Sequence, residues 1–395
     1  MRVLTVIPRY WPAMGGAEQH TRELLRHLSK KNKCKVATVC GSENYPTDVA
    51  FAFTESKRVR DDNVIIERVS ARGIDRRVLQ FVGRKAETNR MARRLFRSAV
   101  KRPFQRVLRR LSKDVDVVHA VYNGFTPAAE VAANLGKPFV WTPLAHTTLP
   151  RGTGWSSRGF QKLYKRADAL IAMTEYEKEW LIEMGARRDN THVVPMAPLL
   201  ATVESDAVAF RRAHNITEKN VVLFLGRATK SKGAQLLCDA ADAIWKRNPD
   251  TAIVIAGPID SETHRKANSI QDPRLKVCGM LDEENKQAAF KACDMVCVPS
   301  AEESLGVVYL EAWSFGKPVV AANLPVLQTV ISHNVDGILV DRTPANVAWA
   351  VNSLLLDPAR SKQLGKNGFE KVGRQYCWSN SANHLSNIYR DVVKP

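Results

Sequence analysis

Short apolar runs alternate with amphipathic helical patterns along the whole chain. The first half carries strand-like runs at "RVLTVIP", "KVATVCG", "NVIIERV", "VDVVHAV", "PFVWTPL", "ALIAMT" and "THVVP". After "PMAPLLATVESD" the pattern restarts with "VVLFLGR", "TAIVIAGP", "RLKVCG", "MVCVPS", "KPVVAA" and "GILV". Such alternation is typical of parallel sheets covered by helices. We therefore predict an α/β fold with two sheet domains, residues 1–200 and 201–375, and a terminal helix in residues 376–395.

The length and composition fit two domains with separate cores. The chain has 395 residues, of which 45% are hydrophobic and 25% are charged. No apolar run approaches the roughly 20 residues of a membrane span, and "VLTVIP" near the start is too short for a signal-peptide core. We therefore expect a protein that stays in the cytoplasm.

The seven cysteines include no C-x-x-C pair and have no histidine at ligand spacing. Cys293 and Cys297 are close in sequence, but they lead into a strand-like run. We expect reduced core cysteines and no zinc site.

The formal net charge of +19 predicts an anionic partner. Nucleic acid, a phosphate-rich ligand and an acidic membrane surface are the three candidate classes. The chain lacks zinc-finger spacing, an RRM-type aromatic motif and a recognisable helix-turn-helix, so we do not expect nucleic acid to be the partner.

A loop with chemically distinctive residues follows the first strand of each half: it is glycine-rich in the first half and rich in basic residues in the second. Gly15 and Gly16 open an amphipathic helix, where backbone amides can approach an anion. Arg227, Lys230 and Lys232, in "LGRATKSKGAQLL", lie in one loop before a helix and suit a diphosphate. The alternatives are a tight turn that needs glycine and a solvated basic loop.

The stretch "PSAEESLGVVYLEAWSFG" places two glutamates around a helix start. Amides at Leu305, Gly306 and Val307 would lie at the positive helix end, and Glu303 could accept hydrogen bonds from hydroxyls. Glu311, two turns later among apolar neighbours, needs a hydroxyl or cationic partner if it is buried. The alternative is a capping carboxylate and an ordinary helix glutamate.

These ordered motifs resemble the family-4 retaining glycosyltransferases of the GT-B fold. The resemblance rests on "GGAEQHTRELLRHL", "ADALIAMTEYEKEWLIEMGA", "GRATKSKG", the E-x7-E stretch and "KPVVAANLPVLQTVI", and it covers most of the chain. It implies two Rossmann-like domains that face each other across a cleft, with the terminal helix returning to the first domain. It also implies transfer of a sugar from a nucleoside diphosphate, UDP or GDP, to a hydroxyl group.

The resemblance further implies roles for individual residues. Arg227 and Lys232 hold the donor diphosphate, Glu303 contacts the sugar hydroxyls, and Glu311 binds the ribose. The donor-side group is completed by Gly15, Gly16, Ser304, Leu305, Gly306 and Val307.

On the acceptor side, His146 in "WTPLAHTTLP" matches the family histidine beside the reacting carbon. His119 in "VVHAVYNG" either lines the cleft or is a buried histidine with a satisfied ring. Two departures from the family pattern are Thr329, where a glutamate is usual, and Met196, where an asparagine is usual. The first departure leaves the identity of the donor sugar open.

The acceptor half shows no carboxylate motif that would supply a covalent nucleophile, so the expected mechanism is same-face attack with retention. The chain has no Asp-x-Asp metal motif, and we expect the cations to substitute for a metal, with no cofactor. The main alternative function is a nucleotide-sugar epimerase of similar architecture.

Residues 84–113 form a strongly basic segment with two apolar stripes separated at Pro103. We predict two consecutive amphipathic helices lying on an anionic bilayer at the inner face of the cytoplasmic membrane, with a lipid-linked or membrane-associated glycan as acceptor. The expected membrane-facing cations are Arg93, Arg94, Arg97, Arg106, Arg109 and Arg110. The alternative is that the stripes pack on the first domain and the cations are merely solvated.

Overall fold

The computed structural model describes residues 1–13, 15–39, 49–86, 89–122, 127–148 and 150–394. The chain divides into two compact units. Unit 1 comprises Met1–Pro195 and Trp378–Pro395, and unit 2 comprises Met196–Cys377. The first change of unit follows "THVVP", the last strand-like run of the first half.

Unit 1 is built on an eight-stranded sheet with the order β3-β4-β2-β1-β5-β6-β7-β8. Its strands are β1 (Arg2–Val6), β2 (Lys33–Thr38), β3 (Lys57–Asp61), β4 (Val64–Arg68), β5 (Val117–Val121), β6 (Phe139–Thr142), β7 (Ala169–Ala172) and β8 (Thr191–Val193). All neighbouring strands are parallel except β3, which is antiparallel to β4. The seven predicted strands are confirmed, and β3 is an additional edge strand.

Helices of unit 1 lie between these strands and at the end of the chain. They are α1 (Gly16–Leu28), α2 (Ala50–Phe53), α3 (Gly73–Ala86), α4 (Arg90–Leu111), α5 (Ala128–Ala132), α6 (Arg158–Arg166), α7 (Glu175–Glu183) and α16 (Trp378–Val393). The terminal helix α16 packs on α1, where the rings of Trp378 and His20 are 5.6 Å apart. The hydroxyl of Ser381 also donates to the Pro195 carbonyl. The predicted return of the terminal helix to the first domain is therefore confirmed.

Unit 2 contains a six-stranded, wholly parallel sheet with the order β11-β10-β9-β12-β13-β14. Its strands are β9 (Asn220–Leu225), β10 (Thr251–Ala256), β11 (Leu275–Gly279), β12 (Met295–Val298), β13 (Val319–Ala322) and β14 (Gly337–Val340). Its helices are α8 (Ala207–Ala213), α9 (Ala234–Arg247), α10 (Ser261–Ser269), α11 (Glu283–Ala292), α12 (Val307–Ser314), α13 (Pro325–Gln328), α14 (Pro344–Leu356) and α15 (Pro358–Gln375). All six predicted strands are present.

The basic segment forms one continuous helix, α4, that contains Pro103. The prediction of two helices separated at this proline is wrong. Phe96, Val100, Phe104 and Leu108 recur every four residues and are buried in the core of unit 1. Burial of this stripe on both sides of the proline holds the helix together, although proline lacks the N–H that would bond one turn back. No described helix is long and apolar enough to cross a bilayer.

Candidate functional site

Gly233 allows the loop between β9 and α9 to pack closely against the residue that follows β12. Gly233 has a φ of 87° and directly precedes α9. A Cβ at this position would lie 2.4 Å from the Pro299 carbonyl oxygen, so only glycine allows this approach. The backbone N–H of Ala301 donates to the Ser231 carbonyl and joins the two loops a second time. The lysine-rich loop after β9 therefore lies beside the loop that carries the predicted glutamate.

Lys232 and Glu303 form the centre of this contact. The Lys232 ammonium lies 2.8 Å from Glu303 Oε1 and donates a longer hydrogen bond, of 3.3 Å, to the Glu302 carbonyl. The Ser300 hydroxyl also donates to Glu303 Oε1, at 2.7 Å. Both charged side chains are mostly buried, with 24% of the lysine and 11% of the glutamate side chain exposed. An ammonium group has three N–H donors, so one remains for a ligand.

Helix α12 begins just beyond this ion pair. Gly306 occupies its N-cap with a φ of 79°, and a Cβ there would lie 2.4 Å from the Tyr309 ring. The Tyr309 hydroxyl donates to the Val298 carbonyl at 2.6 Å and fixes the start of the helix against β12. Leu305 is buried, whereas Ser304 and Val307 are partly exposed. The predicted helix start is therefore confirmed, with its positive end next to a cation.

Glu311 is buried within α12 and has a cationic partner. Its carboxylate lies 3.2 Å from the Lys286 ammonium of α11, which also donates to the Leu199 carbonyl. Burial raises the pKa of Glu311 to about 7, and the nearby Lys286 opposes this rise. A buried carboxylate with a pKa near neutrality, held by one cation, is suited to accept hydrogen bonds from hydroxyl groups.

Arg227 follows β9 in the same loop as Lys232, and its side chain is exposed. The glycine before it, Gly226, has a φ of 141°, and the segment that follows β10 approaches it closely. A Cβ on Gly257 would lie 1.9 Å from the Gly226 carbonyl oxygen. The structure therefore brings together Lys232, Glu303 and the start of α12, and it places Arg227 in the adjoining loop as an exposed cation.

In unit 1, the predicted glycines lie at the start of α1. Gly15 is the N-cap residue and Gly16 is the first residue of the helix. A Cβ on Gly16 would meet nothing within 4 Å, whereas one on Gly15 would meet the Glu18 carboxylate at 2.1 Å. Glu18 therefore places a negative charge over the positive end of the helix. Gly16 is exposed, and Met14 lies outside the described residues.

His146 is an exposed residue after β6, and a buried glutamate holds the backbone next to it. The N–H groups of Ala145 and Met173 each donate to one oxygen of Glu177, both at 2.7 Å. Burial raises the pKa of Glu177 to about 7, and the two backbone hydrogen bonds partly offset this.

The sequence analysis did not single out Glu177, whose spacing from Thr174 is that of a capping box. Thr174 does cap α7, with its hydroxyl accepting from the Glu177 N–H at 3.1 Å. In a capping box the glutamate carboxylate reaches back to the cap residue. Here the Glu177 carboxylate accepts instead from the backbone N–H groups of Met173 and Ala145. Ala145 lies in the segment after β6, away from α7 in sequence.

His119 belongs to the core of unit 1 and is not part of its exposed surface. It lies within β5 and is 2% exposed. Its ring nitrogens hydrogen-bond Tyr389 Oη at 2.6 Å and Thr142 Oγ1 at 2.7 Å. Burial lowers the pKa of His119 to about 3, so its ring stays neutral. The structure supports the alternative of a buried histidine with a satisfied ring.

The two departures from the family pattern lie at the end of a short helix and at the start of unit 2. The Thr329 hydroxyl donates to the Val326 carbonyl at 2.7 Å and ends the short helix α13. Met196 is buried at the first residue of unit 2.

The basic helical hairpin of α3 and α4 has an exposed apolar surface that lies only partly in the predicted basic segment, at Met91 and Leu95. The exposed large apolar side chains of this hairpin are Ile74, Val78, Phe81, Met91 and Leu95. Ile74, Val78 and Phe81 follow helical spacing on α3, outside the residues that were expected to contact a membrane.

The predicted cations differ in their surroundings. Arg94, Arg109 and Arg110 are exposed. Arg106 is bound to Asp75 at 2.6 Å, and Arg93 Nε donates to the Ala86 carbonyl at 3.0 Å. Arg97 is partly buried.

Comparison with protein families assigns each part of the chain to a glycosyltransferase domain. Residues 14–197 match the family described as Glycosyltransferase Family 4, and residues 207–371 match Glycosyl transferases group 1. A D-inositol 3-phosphate glycosyltransferase of Corynebacterium kroppenstedtii is 30% identical over 253 residues, which are 59% of this chain and 55% of that protein. The match thus spans little more than half the length of this curated relative.

Solved structures share the whole architecture. HepE of Anabaena, solved in complex with UDP and glucose, superimposes with a TM-score of 0.73 at 18% identity, over 98% of each chain. Sucrose-phosphate synthase of Thermosynechococcus elongatus gives a TM-score of 0.75 at 19% identity, over 99% of each chain. At such low identity these structures establish the fold alone. Together with the two family matches, they show that the chain belongs to the family-4-type glycosyltransferases of the GT-B fold.

Proposed function

We propose that the protein transfers a sugar from a nucleoside diphosphate, with UDP as the first candidate, to a hydroxyl group, and that the anomeric configuration is retained. The observation that carries this proposal is the Lys232–Glu303 pair next to the start of α12, with the buried Glu311 farther along the same helix. This arrangement offers a cation and helix amides to phosphate and carboxylates to hydroxyls. HepE, which has the same fold, was solved with UDP and glucose.

In the proposed reaction the bond between the anomeric carbon and the β-phosphate oxygen breaks as the acceptor oxygen attacks from the same face. The acceptor proton passes to the departing phosphate oxygen. Negative charge grows on the diphosphate, where Lys232, Arg227 and the amides of Leu305 to Val307 stabilise it. A well-placed group of this kind is commonly worth about 3 kcal/mol in the transition state.

Glu303 and Glu311 have different tasks in this proposal. Glu303 accepts hydrogen bonds from the sugar hydroxyls while it holds Lys232 in place at 2.8 Å. Glu311 accepts hydrogen bonds from the ribose hydroxyls, and Lys286 partly neutralises the negative charge of Glu311. His146 lies in unit 1 and would act beside the reacting carbon.

A nucleotide-sugar panel tests the donor assignment. Thermal unfolding with UDP-, GDP- and ADP-sugars should show one nucleotide that raises the midpoint, because a ligand that binds only the native state stabilises it. The same sugar should then be transferred to an acceptor, or released slowly by hydrolysis with the nucleoside diphosphate as product. Conversion of one nucleotide sugar into another, with no diphosphate released, would instead identify an epimerase.

We further propose that the acceptor is lipid-linked and that the α3–α4 hairpin rests on an anionic membrane. Two observations support this: the exposed apolar residues of the hairpin, and the exposed cations Arg94 and Arg109 on the same hairpin. Ile74 and Phe81 are 80% and 77% exposed, which is unusual for side chains of this size. An apolar face bordered by cations suits the interface of a bilayer with anionic lipids.

Vesicle sedimentation tests the membrane proposal. The double variant Ile74→Ser/Phe81→Ser should lose most binding to vesicles that contain phosphatidylglycerol. The matched variant Trp349→Ser/Phe369→Ser removes exposed apolar side chains of unit 2 and should bind like the original protein. Equal binding by all three proteins would contradict the assignment of the hairpin.

A further inference from the structure

A cavity of about 350 Å³ opens in unit 1, outside the residues assigned above to the donor. Strands β3 and β4, the start of α3 and the second half of α4 form its walls. The lining residues are Phe51, Ser56, Lys57, Arg58, Glu67, Arg68, Val69, Ser70, Ala71, Arg72, Asp75, Pro103, Arg106, Val107, Arg110 and Leu111. The volume lies at the lower end of the range usual for small-molecule sites.

The charged groups of this cavity are strongly unbalanced. Six lining residues are cationic and two are acidic. Both acids already have cationic partners, since Arg58 binds Glu67 at 2.7 Å and Arg106 binds Asp75 at 2.6 Å. In the part of the chain that the structure describes, the other four cations have no carboxylate partner. These four are Lys57, Arg68, Arg72 and Arg110.

Arg68 provides a second, independent observation that points to an anion. One of its terminal nitrogens donates to the Trp11 carbonyl at 3.3 Å. Its Nε is buried and finds no acceptor among the described residues. A buried guanidinium N–H without an acceptor is costly, and a bound anion would supply one. The hydroxyls of Ser56 and Ser70, 2.8 Å apart, offer further polar contacts in the same cavity.

We propose that this cavity is a binding site for a phosphate-bearing ligand. The guanidinium groups of Arg68, Arg72 and Arg110 can each present paired N–H donors to phosphate oxygens. The apolar wall of Phe51, Val107 and Leu111 accommodates the non-phosphate part of the ligand. The site does not depend on the donor site proposed for unit 2, and its ligand is either a soluble phosphate compound or a lipid headgroup.

Calorimetric titration of the full chain with inorganic pyrophosphate tests the site. The variant Arg72→Gln/Arg110→Gln should weaken binding at least about tenfold, because two charge-assisted hydrogen bonds are lost. Both side chains are exposed, so the fold should persist. The matched variant Arg60→Gln/Arg77→Gln removes two exposed cations that do not line the cavity and should change the affinity by less than about twofold.

Lys232→Ala separates this site from the donor site. Pyrophosphate binding that survives Lys232→Ala and is lost in Arg72→Gln/Arg110→Gln supports the cavity. Binding that is lost only in Lys232→Ala, or that falls equally in both arginine variants, overturns the proposal. Failure of UDP-sugar transfer in the unmodified protein would leave this result unaffected.

Vesicles of phosphatidylcholine with phosphatidic acid identify the source of the phosphate. A selective loss of vesicle binding in Arg72→Gln/Arg110→Gln, alongside the loss of pyrophosphate binding, indicates a lipid phosphate. Loss of pyrophosphate binding with unchanged vesicle binding indicates a soluble ligand. Both outcomes support the cavity as a phosphate site.

Discussion

Two candidate residues of unit 2, Lys232 and Glu303, contact each other directly, whereas those of unit 1 are spread over separate elements. In unit 2, the connections that follow the neighbouring strands β9 and β12 meet at the Lys232–Glu303 pair. In unit 1, Gly16 begins a helix, His119 is buried in a strand, and His146 follows Ala145, whose N–H donates to Glu177 of a different connection. In unit 2 the candidate side chains thus hold each other in place, while in unit 1 the backbone next to His146 is held by Glu177, a residue outside the predicted set.

The largest expected effect comes from breaking the ion pair of unit 2. Glu303→Gln and Lys232→Ala should each lower turnover at least about tenfold, because each removes more than about 1.4 kcal/mol of transition-state stabilisation. The turnover of the double variant should be only slightly lower than that of the less active single variant, since the two side chains act as one unit. Steady-state kinetics on the three purified proteins measures this coupling.

Lys246→Ala, which removes an exposed lysine from the last turn of α9, is the matched control and should retain full turnover. Unchanged rates in both single variants, with the fold intact by circular dichroism, would remove the basis of the site assignment. Simple multiplication of the two losses would mean that the pair does not act together.

The contrast between the units also explains what the sequence could reveal. Lys232, Glu303 and Glu311 lie in motifs whose spacing places them after strands or on one helix, so their neighbourhood could be predicted. Strand β3, "KRVRD", escaped prediction because four of its five residues are charged. It is stable at the sheet edge, where its Asp61 binds Arg22 of α1 at 2.7 Å.

Other features of unit 1 depend on partners that are distant in sequence. His119 is satisfied by Tyr389, which lies in the terminal helix. The apolar stripe of α4 could face either the core or a membrane, and only packing shows that Phe96 and Phe104 face the core. The sequence shows a histidine in a strand and an apolar stripe on a helix, but it does not show which residues pack against them.

The second prediction concerns the backbone that supports Lys232. Gly233→Ala should destabilise unit 2 by about 1–3 kcal/mol, because alanine is strained at a φ of 87° and its Cβ meets the Pro299 carbonyl. Gly373→Ala, in helix α15 with open space around its Cα, is the control and should be neutral or slightly stabilising. Urea unfolding of both variants gives the comparison. Equal stability of the two would show that the loop tolerates a shift.

The third prediction tests long-range positioning in unit 1. Glu177→Gln replaces an oxygen that accepts from a backbone N–H with an amide group that cannot, at a cost of about 1–2 kcal/mol. Turnover should also fall if the backbone at Ala145 places His146. Glu175→Gln, an exposed neighbour on the same helix, should change neither quantity appreciably.

The pH dependence of the Glu177 effect has a definite sign. Its folded pKa, about 7, is above the ordinary value of 4.5, so the folded state holds this proton more tightly than the unfolded state. The stabilising contribution of the group is full below about pH 4.5 and falls as the pH rises to 7. The stability advantage of the original protein over Glu177→Gln should therefore be larger at pH 5 than at pH 8. A constant difference would mean that Glu177 is ionised throughout.

The smallest effect is expected for Glu311, the carboxylate of unit 2 with a pKa also near 7. Ribose hydroxyls bind an ionised carboxylate more strongly than a protonated one, so UDP affinity should rise between pH 6 and pH 8. Glu311→Gln should weaken UDP binding about threefold at pH 8 and less at pH 6. Ionisation of UDP itself affects both proteins equally, so the ratio of their affinities isolates the carboxylate. Lys286 keeps Glu283 as a partner at 3.0 Å, and the variant should therefore remain folded. An affinity ratio that does not change with pH would mean that Glu311 keeps one protonation state over this range or does not meet the ribose.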